Sequence, residues 1–397
     1  MGWVAFGSTE SPNGLDGSHS DETAILRLLT WPARAGAGLG MRAARTNSKR
    51  PGRTKSSRHP NSLQFGAALD HAVVLIDTIC CLAGDGHLIG NQSSPDVKQL
   101  RRAIADHDTP YLFEQLMVAF SMQGISDHAA YTYMERHGRL TWRDLDRATS
   151  RQATCCKLRS YWTFHDCSYR KEAQTCGEPE ILPVCPVPKH DLRNGRLNQT
   201  GYSLFMFIRD VADGDFVGWI DDQLHDSSKG SIRRREMRMR SALVEPLRNL
   251  FGVSDKVLNM TLAWLLISAP PSKPLWLATG VNMIAVDTLV HNFLHRSGIL
   301  GRFKAEHQYG PACYQPEGCA DVITRVASQI DARECNPNYP KLFPRWVQHA
   351  IWRYCAQLEM GICNGNEIDD RFRCGSKGCP LFHLCDRVAL QPEEPTG

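Results

Sequence analysis

Residues Leu243 to Ile267 read LVEPLRNLFGVSDKVLNMTLAWLLI. Two stretches with apolar residues at helical spacing flank the heptapeptide LFGVSDK, Leu250 to Lys256. A reversal this short needs a residue without Cβ where the backbone turns, and Gly252 supplies it. The stretch therefore predicts helix, tight turn, helix, with Lys256 in the first turn of the second helix. The leading N–H groups of such a helix point outward and can hold a phosphate. The backbone of Gly252, Val253 and Ser254 belongs to the same cradle.

Outward from this turn the helical spacing persists. Phe65, Leu69, Val73, Ile76 and Cys80 recur at three- and four-residue steps, so a helix begins near Leu63. Gly84 to Pro95 reads as a loop and Val97 to Asp106 as a helix. Asp108-Thr109-Pro110 opens the next helix, whose stripe is Leu112, Leu116, Ala119 and Phe120, and Ile125 to Arg136 follows as another. Gly177 to Gly201, with four prolines, reads as an inserted loop. Phe205 to Val211, Phe216 to Leu224 and Val257 to Ile267 are helical in pattern, and Pro270 to Pro274 interrupts it. Beyond Asp287, placed as an N-cap, one helix is expected from Val290 through Ile299-Leu300. Period-two patterns are scarce, so the fold class is all-α.

With 397 residues the chain has room for two domains. Its net charge of +4 permits nucleic-acid binding without requiring it. Residues 1–61 are poor in large apolar side chains and rich in Gly, Ser, Arg and Lys, and are expected to be a disordered basic leader or an arm attracted to phosphates. Residues 391–397 read as a tail. The opening, Met1 to Glu22, lacks a basic stretch followed by an apolar one, and the fifteen cysteines are odd in number. Both point to a reducing compartment and to thiols used as metal ligands or buried apolar groups. The longest apolar stretch is taken as Val257 to Pro271, too short for a bilayer, so no membrane is expected.

The cysteines that carry chemistry close the chain. Cys363, Cys374, Cys379 and Cys385 lie in GICNGNEIDDRFRCGSKGCPLFHLC, Gly361 to Cys385. Four thiolates suit a [4Fe–4S] cluster or Zn²⁺, and spacing alone admits both. Cys355 is a fallback first ligand, and the remaining cysteines, Cys80-Cys81 and Cys155-Cys156 among them, are expected to be buried small apolar residues.

In order, the tight turn, IAVDT (Ile284 to Thr288) and the cysteine loop resemble the helix–hairpin–helix DNA glycosylases of the endonuclease III type. The turn is similar to the family's LPGVGRKTA, with Phe251, Ser254 and Val257 as departures. IAVDTLVHNFLHRSGIL is similar to the family's IAVDTHVFRVSNRLGI, and CPLFHLC to its closing CPLxxxC. FSMQGISD, Phe120 to Asp127, resembles LLSAQATD, and YRKEA, Tyr169 to Ala173, resembles the helix start YRNKA. Pro270 to Met283 looks like an extra piece between Lys256 and Asp287.

The resemblance implies two helical domains with a DNA-binding cleft between them. One comprises 62–110 plus 288–390. The other comprises 111–287 and carries the helix–hairpin–helix at 243–267. The resemblance implies Lys256 and Asp287 as catalytic residues. It implies Gln123, Gly252, Val253, Ser254, Arg371, Arg373 and Lys377 at DNA, and a [4Fe–4S] cluster on Cys363, Cys374, Cys379 and Cys385, with zinc the alternative occupant. The expected partner is double-stranded DNA with a damaged or mismatched base, an oxidised pyrimidine foremost, bound by a monomer. The expected compartment is the cytoplasm (at the nucleoid) of a prokaryote or the nucleus of a eukaryote. A monofunctional glycosylase and an inactive DNA-binding relative remain as alternatives.

Overall fold

The computed structural model describes residues 60–84, 88, 94–121, 123, 127–149, 153, 155–165, 167–168, 170, 177, 196–231, 234–365 and 367–391. Among the described residues the regular structure is helical and contains no β-strand. All of the leader but its last two residues, which are helical, and most of the tail lie outside them. So does most of the segment Tyr169 to Ala173 expected to start a helix; its one described residue, Arg170, is not helical.

The described residues open with α1 (Pro60–Ala83), in which Ala72, Leu75, Ile76, Ile79 and Cys80 are fully buried. The stretch Gly66–Ala83 is long and apolar enough to cross a membrane by length and composition. Among the described residues the span-like segment is therefore here and not at Val257 to Pro271. Ser94 caps α2 (Pro95–Ala105), its hydroxyl accepting from the Val97 N–H at 3.2 Å. Then come α3 (Thr109–Ser121), α4 (Asp127–His137) and α5 (Trp142–Ala148), the last opened by a capping box of Thr141 and Asp144. After α6 (Tyr161–Phe164), α7 (Arg196–Asp210) starts inside the stretch 177–201. The end of that expected loop is therefore helix, because Thr200, Tyr202 and Leu204–Ile208 need one continuous element to be buried.

Next are α8 (Phe216–Ser228), α9 (Arg235–Leu247), α10 (Asp255–Ile267) and α11 (Pro274–Gly280). α11 occupies the extra piece read as an interruption. Pro274 sits at its first turn, where a missing N–H costs nothing, and Trp276 is buried beneath it with its indole N–H on Asp221 at 2.7 Å. The last helices are α12 (Thr288–Arg296), α13 (Ile299–Phe303), α14 (Cys319–Ala327) and α15 (Pro344–Cys355). α1 packs against α13, α14 and α15, so the first and last helices share a core. α3 packs against α7 and α10, α8 against α9, and α10 against α11.

The single helix expected from Val290 to Leu300 is two. Gly298 stands between α12 and α13 at φ 81°, a left-handed conformation that ends the first helix. A Cβ there would also run into the Asp386 carboxylate, itself tied to Arg302 at 2.7 Å. Gly298→Ala is expected to lower stability by about 2 kcal/mol, through the left-handed backbone and the clash together. Urea unfolding with an unchanged m-value and a lower midpoint would bear this out; an unchanged midpoint would refute it.

Candidate functional site

The turn before α10 is held from three sides. Gly252 has φ 72°. Behind it, Thr200 of α7 donates its hydroxyl to the Phe251 carbonyl at 2.6 Å, and the Phe251 N–H donates to Ser203 Oγ at 3.3 Å. Across it, Arg248 reaches Asp255 at 2.7 Å and Glu245 at 2.6 Å. In front, the Gln123 amide donates to the Gly252 carbonyl at 3.0 Å and accepts from the Ser254 N–H at 3.0 Å. Ser254 also caps α10, accepting from the Val257 N–H at 3.5 Å. Gln123 and the cradle residues Gly252, Val253 and Ser254 thus meet in one place, although Gln123 lies far away in sequence. Gln123→Ala removes two hydrogen bonds and is expected to cost about 1–3 kcal/mol. Faster amide exchange at Ser254 would report the loosened turn, and an unaltered exchange rate would show that Gln123 does not brace it.

α10 carries Lys256 in its first turn, as the sequence pattern predicts. α11 packs on α10 and α9, and the chain then runs through Met283, Ile284 and Val286, all buried, to Asp287. Asp287 caps α12, accepting from the Val290 N–H at 2.9 Å. Its other carboxylate oxygen lies 3.9 Å from Lys256 Nζ, with the lysine side chain 40 % exposed and the aspartate side chain 12 %. The extra piece therefore does not separate the two.

The segment bearing Asp287 is fixed on both sides. The Tyr314 hydroxyl accepts from the Val286 N–H at 3.0 Å and donates to the Val286 carbonyl at 3.3 Å. Burial holds that phenol well above its usual range. From the other side the Arg345 N–H donates to the Val281 carbonyl at 2.9 Å, and Gln348 accepts from the Ala285 N–H at 3.4 Å. Burial pushes the Arg345 guanidinium down to about 10.

Cys363, Cys374, Cys379 and Cys385 all line one pocket, with Phe293, Tyr354 and Leu381 as apolar walls. Tyr354 Oη is 3.0 Å from Cys379 Sγ. Burial, then the neighbouring Cys363, Cys379 and Cys374, push the Cys385 thiol up to about 11. Cys355, the fallback first ligand, is buried and hydrogen-bonded to Cys363 and does not line the pocket. The pocket is edged by two arginines. Arg296 is buried and paired with Asp370 at 2.6 Å, yet its Nη1 has no partner, and Nε of Arg387 is likewise buried and unpartnered. Arg371, Arg373 and Lys377 are exposed on the same loop. Arg371 is engaged with Asp369 at 2.7 Å, and Arg373 donates to the Asp386 carbonyl at 2.9 Å.

Of the other cysteines expected to be buried, Cys80, Cys155, Cys313 and Cys319 are so, Cys167 and Cys335 are half-buried, and the expectation fails at two positions. Cys81 and Cys156 are exposed. Cys313 and Cys319 belong to a group that could hold a metal ion, together with His291 and His307, their ligand atoms all within 4.8 Å of one another. His291 Nδ1 is 3.3 Å from Cys319 Sγ and 3.5 Å from Cys313 Sγ, and His307 Nε2 is 3.3 Å from Cys319 Sγ. Hydrogen bonds from Cys319 and then His291 hold the Cys313 thiol well below its ordinary range. The spacing, His-x15-His-x5-Cys-x5-Cys, has none of the short pairs that betray a metal knuckle in a sequence.

No protein-family model matches this chain, no curated protein matches it, and no solved structure matches it.

Proposed function

We propose that the chain is a DNA glycosylase with an associated abasic-site lyase activity, acting on a damaged base flipped from duplex DNA. The observation that carries this reading is the Lys256–Asp287 pair, 3.9 Å apart at the mouth of a helix N-terminus built to meet a phosphate. A base must leave the stack before its glycosidic bond can be reached. As the C1′–N bond breaks, the electron pair leaves with the base, and the Asp287 carboxylate stabilises positive charge on the sugar. The neutral Lys256 amine then bonds to C1′, and opening of the sugar ring, in which C1′–O4′ breaks and a proton passes from the nitrogen to O4′, leaves a Schiff base. β-Elimination then breaks the C3′–O bond and releases the 3′ phosphate.

In this reading the Ser254 N–H and the leading N–H groups of α10 receive the backbone phosphate. Gln123 now occupies the Ser254 N–H. A phosphate arriving there displaces it, and the freed amide enters the space the base has left. Arg371, Arg373 and Lys377 would add phosphate contacts from the C-terminal loop.

The pocket of Cys363, Cys374, Cys379 and Cys385 fits a [4Fe–4S] cluster better than Zn²⁺. Four cysteines line it together, and the unpartnered Arg296 and Arg387 atoms at its edge suit an anionic cluster. The cluster's contribution would be structural, fixing the loop that carries the three cations.

Incubating the full chain with borohydride on duplexes carrying an abasic site, an oxidised pyrimidine, uracil or a mismatched thymine tests the reading. A covalent adduct and base release on at least one duplex support it. Folded, iron-containing protein that releases no base and forms no adduct on any of them would overturn it.

A further inference from the structure

We propose that His291, His307, Cys313 and Cys319 hold a structural Zn²⁺, separate from the four-cysteine pocket, and that this ion fixes the segment bearing Asp287. The inference stands on the geometry of these four residues and does not depend on the glycosylase reading.

A tetrahedral Zn²⁺ with Zn–S near 2.3 Å and Zn–N near 2.0 Å sets sulfur and nitrogen about 3.5 Å apart. Three of the four sulfur–nitrogen separations are 3.3, 3.5 and 3.3 Å, and all four ligand atoms lie within 4.8 Å of one another. Four protein ligands leave no open position, the mark of a structural site rather than a catalytic one. Two thiolates, two neutral imidazoles and Zn²⁺ sum to zero charge. That balance suits a site where Cys313 and Cys319 are fully buried and His291 nearly so.

The surroundings are built for a metal. His307 Nδ1 lies 2.7 Å from the Ala305 carbonyl. A carbonyl only accepts, so Nδ1 carries the proton and Nε2 presents its lone pair to the group, the usual outer-shell arrangement of a ligating histidine. Cys319 is the first residue of α14, so its sulfur sits at the fixed end of a helix. The ligands come from four places: the middle of α12, the loop after α13, the 3₁₀ turn Pro311–Tyr314 and the start of α14.

Two short links join the site to Asp287. His291 lies one turn along α12 from its cap, Asp287. Tyr314, next to Cys313, makes both hydrogen bonds to Val286. The ion would thus hold the carboxylate's helix and the strand of backbone entering it at the same time.

The test uses the full chain purified without air or chelator. Elemental analysis is expected to find one zinc per chain beside iron. X-ray absorption at the zinc edge is expected to give two sulfurs at about 2.3 Å and two nitrogens at about 2.0 Å. Folded protein without zinc, a shell of four sulfurs, or a shell without sulfur would each overturn the proposal. So would a Cys313–Cys319 disulfide found by mass spectrometry of the alkylated protein. Cys313→Ser with Cys319→Ser should lose zinc and keep iron, whereas zinc retained in that variant would refute the assignment. If the variant does not fold, the absorption spectrum of the unaltered protein decides.

Discussion

Lys256→Gln is expected to abolish the borohydride-trapped adduct on an abasic-site duplex, bringing it to background, while the protein stays folded. The chemistry requires this, because glutamine has no amine to form a Schiff base. The structure limits what else the change can do. The lysine is 3.9 Å from Asp287 and 40 % exposed, and an ion pair of that kind is worth at most about 1 kcal/mol. Nor does α10 depend on it, since Ser254 caps the helix and Arg248 clamps its first turn through Asp255. Loss of the adduct with a melting temperature close to that of the unaltered protein is therefore a chemical effect. Trapping that persists in Lys256→Gln would remove the lysine from the mechanism.

Asp287→Asn is expected to slow single-turnover base release by about 10²- to 10⁴-fold and to leave stability almost unchanged. Asparagine caps a helix as well as aspartate, so the bond from the Val290 N–H survives. In the proposed mechanism, what is lost is the negative charge that would face the sugar. Asp287→Ala loses both and should cost about 1 kcal/mol of stability in addition. The pair of variants separates the two roles of one side chain. If Asp287→Asn releases base at the unaltered rate while Asp287→Ala melts earlier, Asp287 is a cap and nothing more.

The glycine turn and both residues of the pair were legible in the sequence for local reasons. Gly252 announces a reversal, Lys256 follows it within one helical turn, and three apolar residues before Asp287 mark a buried approach to an N-cap. Their meeting was not legible by the same means. The piece between them looked like an insertion, and only the packing of α11 on α10 and α9 brings the chain back. Gln123 is similar: its neighbours in sequence mark a junction between helices, but its two bonds to the turn depend on α3 lying against α10. The break at Gly298 was missed because apolar spacing continues across it; what decides it is the Asp386 carboxylate, which arrives from the far end of the chain.

The sequence by itself determined the helical class, the position of the turn, the cap at Asp287 and the four cysteines that share a pocket. Each follows from spacing within a few residues or from a pattern closed inside one loop, where side-chain periodicity and backbone sterics act locally. Only the tertiary structure decided which of these come together, and it alone revealed the group of His291, His307, Cys313 and Cys319. Those ligands are scattered over two helices, a turn and a loop. Nothing in their spacing is periodic or paired, so their proximity exists only once the buried faces of α12 and α14 have found their places in the core.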